Sequence, residues 1–414
     1  MDNIIDINFG SIDVYDFLNA VIAVIFAALM AFVTTPIVRV LAHKINAIDV
    51  PKDDRRMHKK PVPRLGGLAI FFSFVFSVFL FYGVSNFTLS MIGGAFIIII
   101  IGILDDVFRI RAIIKFVVQI AAAGLVVWQG GVLIERINIF DIYIHFGIFS
   151  IPLTILWIVG LINAVNLIDG LDGLACGISS ISAVSLLIVT ILLGDFKSAL
   201  LVAILAGSCI GFLPFNRNPA KIIMGDTGAM FLGFILAVTS IQGLFKTQAV
   251  ITFIIPFLIL GVPIFDTVFA IMRRILTGRH PFSADRGHLH HRLIDMGFNQ
   301  KQTVQILYAV SALLGVSSIM LVTQQILYAI IIMVVSLGIS VATWIIFKDD
   351  QMKIESGLIP EKEDKSENIK EVEAEVKTEN DSDNGGDNNI SLSKSETNKN
   401  KKSANGKKKI KSKN

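Results

Sequence analysis

Long apolar runs separated by polar loops repeat along the chain from about residue 17 to residue 347. A membrane-spanning helix needs about 20 apolar residues, with roughly 17 to 25 as the range. The pattern therefore predicts an all-α polytopic membrane protein with about eleven transmembrane helices. We place them near residues 17–41, 66–84, 88–104, 112–129, 149–165, 174–193, 198–215, 228–244, 249–271, 303–323 and 325–347.

Lys and Arg residues are concentrated in alternate loops, which predicts the orientation. The first loop has seven of them between Lys44 and Arg64, whereas the second, fourth, sixth and eighth offer only Arg136, Lys197 and Lys246. Because positively charged loops stay in the cytoplasm, we expect the N terminus outside and the C terminus inside. Residues 131–148 alternate in β-branched character and predict a small β-hairpin at the outer surface.

The composition agrees with a membrane protein and divides the chain into two parts. Hydrophobic residues make up 53% and the mean hydropathy is +0.69, which excludes an ordinary soluble globule. Both cysteines lie in apolar runs, so neither a disulfide framework nor a thiolate metal site is indicated. After Phe347 no aromatic residue follows. We predict a membrane catalytic domain over 1–347 and a disordered, charged cytoplasmic tail over 348–414.

The most unusual polar residues are two amides and two carboxylates at three-residue steps, Asn163, Asn166, Asp169 and Asp172. They stand where a long apolar run meets polar sequence. On a helix, a three-residue step drifts slowly around the axis, so the four side chains should face one region. Snorkelling or helix capping is the alternative for one such Asp.

Other polar clusters fall at the same predicted cytoplasmic edge of the membrane and contribute three more carboxylates. If the five converge, each like-charge pair at 4 Å costs about 4 kcal/mol at an effective dielectric of 20. A divalent cation with oxygen ligands would relieve this, and Mg²⁺ fits a set without Cys. Scattered helix caps that never meet are the alternative. The carboxylates are Asp105, Asp106, Asp169, Asp172 and Asp226.

Cationic side chains accompany these acids. Lys115 should lean back toward Asp105 and Asp106, because helical side chains point to the N terminus of their helix; snorkelling is the alternative. The group from Arg286 to Arg292 contains three histidines, for which phosphate recognition fits better than zinc. No P-loop or G-x-G-x-x-G pattern is present. The residues therefore predict phosphoryl chemistry on a lipid-borne phosphate at the membrane surface.

From Pro61 to about Phe298 the motifs resemble those of the polyprenyl-phosphate N-acetylhexosamine-1-phosphate transferases. The resemblance implies that undecaprenyl phosphate attacks a UDP-sugar and releases UMP, with Mg²⁺ that Mn²⁺ sometimes replaces. It implies Asp105, Asp106, Asp169 and Asp172 as catalytic residues, and Asp226 and Asn166 as metal ligands. The implied substrate-binding residues are Arg64, Lys115, Asn163, Asn166, Arg286, His288, His290, His291 and Arg292.

The sequence Asp285-Arg-Gly-His-Leu-His-His-Arg-Leu293 resembles the GlcNAc-1-phosphate branch of this family, which primes wall teichoic acid or O-antigen polymers. The muramoyl-pentapeptide branch is the alternative, although Arg292-Leu293 departs from its pattern. An alternative of another class is a cation-coupled transporter, whose acids are expected nearer the midplane. We expect a bacterial plasma-membrane enzyme with a cytoplasmic active site, UDP-GlcNAc and undecaprenyl phosphate as partners, no nucleic acid, and a homodimer as one assembly.

Overall fold

The computed structural model describes residues 14–49, 61–139, 142–245, 254–278 and 287–339. It is mostly helical. The helices are α1 (Val14–Lys44), α2 (Gly66–Ser77, continued by a π-helical turn at Val78–Tyr82), α3 (Asn86–Phe108), α4 (Ala112–Trp128), α5 (Ser150–Ile168), α6 (Leu174–Leu192), α7 (Phe196–Asn216), α8 (Gly225–Ser240, continued by a π-helical turn at Ile241–Phe245), α9 (Ile254–Ile259), α10 (Gly261–Leu276), α11 (Leu289–Asp295), α12 (Gln300–Val322) and α13 (Ile326–Ile339).

Seven of the described helices are long and apolar enough to cross a membrane: α1, α3, α5, α6, α7, α8 and α12. The run that starts at α2, together with α4 and α13, forms shorter apolar helices. The chain is therefore a multi-pass membrane protein; eleven spans and their orientation stay predictions. The predicted ninth span is interrupted at Leu260, where α9 ends and α10 begins.

Two small antiparallel sheets connect the helices. Strands β3 (Arg136–Ile139) and β4 (Ile142–His145) pair with Arg136 opposite His145, which confirms the hairpin but not its side of the membrane. Strands β1 (Ile48–Asp49) and β2 (Val62–Pro63) were not predicted. Their pairing joins the two described ends of the first loop immediately before Arg64.

The centre of the helical domain is α8, which is buried along nearly its whole length. Phe71 and Phe74 of α2 contact Phe231 of α8 edge to face, with ring centroids 5.6 Å apart in each pair. Large apolar side chains of α1, α4 and α13 are exposed, as expected for helix faces that contact lipid. Packing on several sides therefore fixes the position of α8, including its first turn, which contains Asp226.

Glycines allow α2 and α3 to contact the backbone of the first turn of α8. A Cβ on Gly67 would lie 2.2 Å from both Cα and N of Gly228, and one on Gly102 would lie 2.5 Å from the Cα of Thr227. Small residues permit such close helix approach in membranes. These contacts bring the ends of α2 and α3 that carry polar residues to the start of α8.

The chain divides after Phe347 into two units, and every residue of the second, 348–414, lies outside the described ranges. The predicted disordered tail therefore stays a prediction. The structure also does not describe residues 279–286, which include the predicted substrate-binding residue Arg286.

Gly67→Ala should destabilise the protein, because the added methyl group meets backbone atoms that have no free rotamer to move aside. Overpacking of this kind costs about 1 to 3 kcal/mol. We expect the unfolding temperature in detergent to fall by several degrees. The matched control is Gly124→Ala in α4, where the nearest atoms to the added Cβ belong to Trp128 at 3.8 Å. Equal stability of the two variants would contradict the close α2–α8 contact.

Candidate active site

One ammonium group joins carboxylates from two helices at the centre of the site. Nζ of Lys115 donates to Oδ2 of Asp105 at 2.9 Å and to Oδ2 of Asp226 at 2.8 Å. The side chains are largely but not completely buried, with 20% of Lys115, 12% of Asp105 and 29% of Asp226 exposed. A small ligand therefore has access to a preformed charged cluster.

The turn between α3 and α4 explains why Asp105 and Lys115 meet. Oδ1 of Asp105 accepts a hydrogen bond of 2.6 Å from the backbone N–H of Ile110, and Arg109 has a left-handed φ of 55° that ends α3. The chain reverses within three residues, and α4 begins at Ala112. Lys115, one turn into α4, then leans back to Asp105, the proximity expected from the direction of helical side chains.

Asp106, by contrast, accepts hydrogen bonds from the N terminus of α8. Its Oδ1 accepts from the N–H of Asp226 at 3.0 Å, while its Oδ2 accepts from the N–H and the hydroxyl of Thr227 at 3.1 and 2.7 Å. A carboxylate at this end of a helix is favoured by the free N–H groups and the helix dipole. Asp106 is fully buried and fixes Asp226 through its backbone.

Arg64 connects this cap to the first loop. Its guanidinium lies 3.6 Å from Oδ1 of Asp106 and 3.3 Å from Oδ2 of Asp49. Because 27% of its side chain is exposed, the guanidinium also borders the entrance of the site. The β1–β2 pairing fixes Asp49 beside Arg64, a contact that sequence reasoning missed because the two residues flank a long loop.

The stripe formed by Asn163, Asn166, Asp169 and Asp172 does not face a single region, so this expectation is wrong. Nδ2 of Asn163 donates to Oε1 of Gln119 in α4 at 2.7 Å. Oδ2 of Asp172 instead accepts from Nδ2 of Asn218 at 2.9 Å and from the N–H of Ala220 at 3.1 Å.

The prediction fails because it assumed one helix through residue 172, whereas α5 ends at Ile168. Asp169 has φ −78° and ψ 52°, and Gly173 has a left-handed φ of 78°, so the carboxylates of Asp169 and Asp172 stand on a turn rather than on a helix. Asn166 precedes the break and is partly buried in the last turn of α5.

Asp169 nevertheless belongs to the charged cluster. Burial and the nearby carboxylates of Asp226 and Asp106 raise its pKa to about 8, against the opposite influence of Arg64. Within the described ranges, four carboxylates gather here with two cationic side chains. They are Asp105, Asp106, Asp169 and Asp226, with Lys115 and Arg64.

The histidine motif approaches the other side of the same turn. A Cβ on Gly170 would lie 2.2 Å from Nε2 of His290, so the ring of His290 rests directly on the glycine after Asp169. The rings of His288 and His290 are nearly parallel at 5.9 Å, and the ring of His291 follows at 4.3 Å from that of His290. Burial and the neighbouring His291 lower the pKa of His290 to about 4, so this ring is neutral at pH 7.

Behind the histidines lies Asp266 of α10, which sequence reasoning missed. Its Oδ2 is 2.8 Å from Nδ1 of His288, and its Oδ1 accepts from the N–H of Leu289 at 2.8 Å. The available signal was a lone carboxylate within the predicted ninth span, since an ionisable residue inside an apolar run is costly. Arg292, also on α11, is exposed.

Two cavities adjoin the site. One has a volume of about 660 Å³ and lies beside Asp172, with Arg217, Lys221, Lys301 and Tyr308 in its wall. The other, of about 470 Å³, is an almost wholly apolar groove between α5 and α10. Its wall extends from Phe146 near the hairpin to Ala164, one residue after Asn163. The polar cavity therefore lies beside the turn after α5, and the apolar groove runs along α5 itself.

The donor set fits a hard divalent cation that keeps open coordination positions. The four carboxylates outnumber the two cationic side chains, and burial together with the neighbouring carboxylates raises the pKa of Asp169. In the described part of the chain, no three His, Cys, Asp or Glu side chains are grouped so that they could enclose a metal alone. Mg²⁺ is commonly bound by one or two carboxylates with water and phosphate oxygens, which suits Asp226 with a substrate.

Comparisons with known proteins agree with this arrangement. The model of glycosyl transferase family 4 matches residues 88–244, which contain Asp105, Lys115, the stripe and Asp226. A Bacillus subtilis protein named as an undecaprenyl-phosphate N-acetylglucosaminyl 1-phosphate transferase is 40% identical over 333 residues, covering 78% of this chain and 91% of that protein.

Two further relatives carry related names. A decaprenyl-phosphate N-acetylglucosaminephosphotransferase of Mycobacterium leprae is 36% identical, covering 68% of this chain and 78% of its own. A phospho-N-acetylmuramoyl-pentapeptide-transferase of Streptococcus equi is 35% identical, covering 52% of this chain and 72% of its own. The chain therefore belongs to the polyprenyl-phosphate N-acetylhexosamine-1-phosphate transferases of glycosyl transferase family 4.

Proposed function

We propose that this protein transfers GlcNAc-1-phosphate from UDP-GlcNAc to undecaprenyl phosphate, giving undecaprenyl-diphosphate-GlcNAc and UMP. The observation that carries the proposal is the Lys115 ammonium held between Asp105 and Asp226, in a chain whose relatives are named for this chemistry. Phosphoryl transfer is catalysed mainly by positioning and charge stabilisation, which such a cluster supplies.

The bond changes follow from this assignment. An oxygen of the acceptor phosphate attacks the phosphorus that carries GlcNAc, the bond from that phosphorus to the bridging oxygen breaks, and UMP leaves with the bridging oxygen. Lys115 neutralises the phosphate oxygens, and Asp105 accepts the proton that remains on the acceptor phosphate. Direct attack suffices, because Asp105, Asp106 and Asp226 are each explained without a covalent step.

Asp226, together with Asn166 as the family resemblance implies, would hold Mg²⁺. The cation supplies charge neutralisation on the diphosphate and orients it. Asp106 contributes by holding the N–H groups of Asp226 and Thr227, and therefore the direction of the Asp226 side chain. Asp169 contributes a further carboxylate next to this centre.

The two cavities suit the two substrates. The 660 Å³ cavity falls in the size range of small-molecule sites, and Arg217, Lys221 and Lys301 favour an anionic nucleotide there beside Asp172. The apolar groove between α5 and α10 suits the isoprenoid chain of the acceptor. Its phosphate would then lie at the end of α5, near the charged cluster.

The positively charged first loop supports a site on the cytoplasmic face of a bacterial plasma membrane. UDP-sugars are made in the cytoplasm, so the donor would reach the site from that side. The product would be the first lipid-linked intermediate of a cell-surface polymer such as wall teichoic acid. The muramoyl-pentapeptide donor is the alternative within the family, because a Streptococcus equi relative is named for it. A homodimer is the assembly that we propose.

Purified protein with undecaprenyl phosphate, UDP-GlcNAc and Mg²⁺ should release UMP. EDTA should abolish the release, and added Mg²⁺ should restore it, because the carboxylate cluster requires a compensating cation. The assay measures UMP and the lipid product, with UDP-N-acetylmuramoyl-pentapeptide in parallel. Turnover of the pentapeptide donor alone would replace the GlcNAc assignment by the alternative branch.

Asp105→Asn should lower kcat by about 10²- to 10⁴-fold, the range typical of lost acid–base catalysis. Asp226→Asn should also lower kcat strongly, because it removes the carboxylate proposed to hold the cation. The matched control is Asp195→Asn. Asp195 caps α7 through the N–H of Ser198, a bond that an Asn side chain also makes, and it belongs to none of the contacts of the cluster. Full activity of either cluster variant would remove that residue from the mechanism.

Gly160→Phe should raise KM for undecaprenyl phosphate and leave KM for UDP-GlcNAc unchanged, because the new ring would fill the apolar groove. A Cβ at Gly160 meets nothing within 4 Å, so the variant should fold. Gly338→Phe in α13, where the space is equally open, is the control. Equal acceptor KM values in the two variants would place the isoprenoid chain elsewhere.

A further inference from the structure

A buried carboxylate and a buried imidazole form a pair that the transfer chemistry described above does not use. Oδ2 of Asp266 lies 2.8 Å from Nδ1 of His288. Only 4% of the Asp266 side chain and 6% of the His288 side chain are exposed. The same carboxylate accepts the N–H of Leu289 through its other oxygen, so the ring and the start of α11 have one common anchor.

A second contact, on the same face of α10, holds Gly287, the residue before His288. Asp266 and Arg273 are seven residues apart, which places them two turns apart on one side of the helix. A Cβ on Gly287 would lie 2.1 Å from the guanidinium carbon of Arg273, so the backbone of Gly287 rests against that group. Residues 287–289 are therefore fixed to α10 at two points, and the His288 ring has a defined position.

The fixed ring belongs to the wall of the catalytic site. It stacks on His290, whose own ring rests on Gly170 beside Asp169. In the part of the chain that the structure describes, Nε2 of His288 has no hydrogen-bond partner. The nitrogen opposite Asp266 is therefore the one left for a ligand.

We infer that Asp266 is a positioning residue that fixes the orientation and tautomer of His288, so that Nε2 accepts a hydrogen bond from the donor sugar. The hydroxyl or acetamido N–H of an N-acetylhexosamine is the matching donor group. This inference rests on the proposed function and deepens it, because it adds Asp266 as the residue that orients His288, whose substrate-binding role the family resemblance implies.

The physical reason lies in the two oxygens of Asp266. An ionised carboxylate only accepts hydrogen bonds, so the hydrogen of a neutral His288 ring must reside on Nδ1, leaving a lone pair on Nε2. In Asp266→Asn, the amide oxygen still accepts from Leu289, while the amide N–H₂ donates to Nδ1. The ring hydrogen then moves to Nε2, which no longer accepts. The substitution therefore keeps the hydrogen bond from the Leu289 N–H and exchanges the tautomer of the His288 ring.

The test compares the wild-type protein, Asp266→Asn, His288→Ala and the double variant, with Asp195→Asn as a matched control. Asp266→Asn should raise KM for UDP-GlcNAc by about 10- to 100-fold, the usual effect of removing a group that orients a functional histidine. KM for undecaprenyl phosphate should stay unchanged. In the His288→Ala background, Asp266→Asn should have little further effect, because it acts through His288.

Ring-nitrogen NMR of histidine-labelled protein reads the tautomer without any activity. The His288 signals, assigned from their loss in His288→Ala, should show a protonated Nδ1 and an unprotonated Nε2 in the wild type, and the reverse in Asp266→Asn. An unprotonated Nδ1 or a protonated Nε2 in the wild type overturns the inference, even if Asp266→Asn does not fold. Lower thermal stability of Asp266→Asn with unchanged KM also overturns it, because Asp266 is then only a cap.

Failure of the proposed function gives a different result. If wild-type protein forms no UMP from UDP-GlcNAc, the donor assignment falls, and with it the assigned contact to the sugar. The NMR experiment then still decides whether Asp266 sets the tautomer of His288.

Discussion

The candidate site depends on one contact, the Asp106 carboxylate at the N terminus of α8. Three donors of Asp226 and Thr227 satisfy its two oxygens, and glycines at 67 and 102 let α2 and α3 come close enough for the contact to form. Asp105 is adjacent to Asp106 in the chain, so the cap also fixes its distance to Asp226. One helix end thereby orders two carboxylates around Lys115.

Bringing these carboxylates together has an electrostatic cost, which a proton or a cation can relieve. Like charges at 4 Å repel by about 4 kcal/mol at an effective dielectric of 20, and the described ranges place four carboxylates around two cationic groups. Protonation of Asp169 relieves part of the repulsion in the free protein. A diphosphate would add further negative charge, so we propose that a cation accompanies the donor. Metal and donor are therefore expected to bind together.

Much of this arrangement was predictable from the sequence, because hydropathy marks the helices and carboxylates at the ends of apolar runs mark the site. Alternating β-branched residues predicted the hairpin, and the direction of helical side chains predicted the proximity of Lys115 to Asp105. The failures have physical causes. Periodicity along 163–172 assumes a helix, yet the helix ends at Ile168, so Asp172 stands on the following turn and accepts a hydrogen bond from Asn218. Residue type alone also does not reveal that Asp106 is a cap, or that Asp266 pairs with a histidine 22 positions later.

The turn after α5 links the two halves of the site. Asp169 lies near the carboxylates of Asp226 and Asp106. The next residue, Gly170, contacts the His290 ring so closely that a side chain at position 170 would not fit. A displacement of the histidine loop therefore acts on the turn that carries Asp169. Since Asp266 and Arg273 hold that loop to α10, the groove proposed for the acceptor chain is built on the same helix as the loop proposed for the donor sugar. One helix thus fixes the position of the groove relative to the histidine loop.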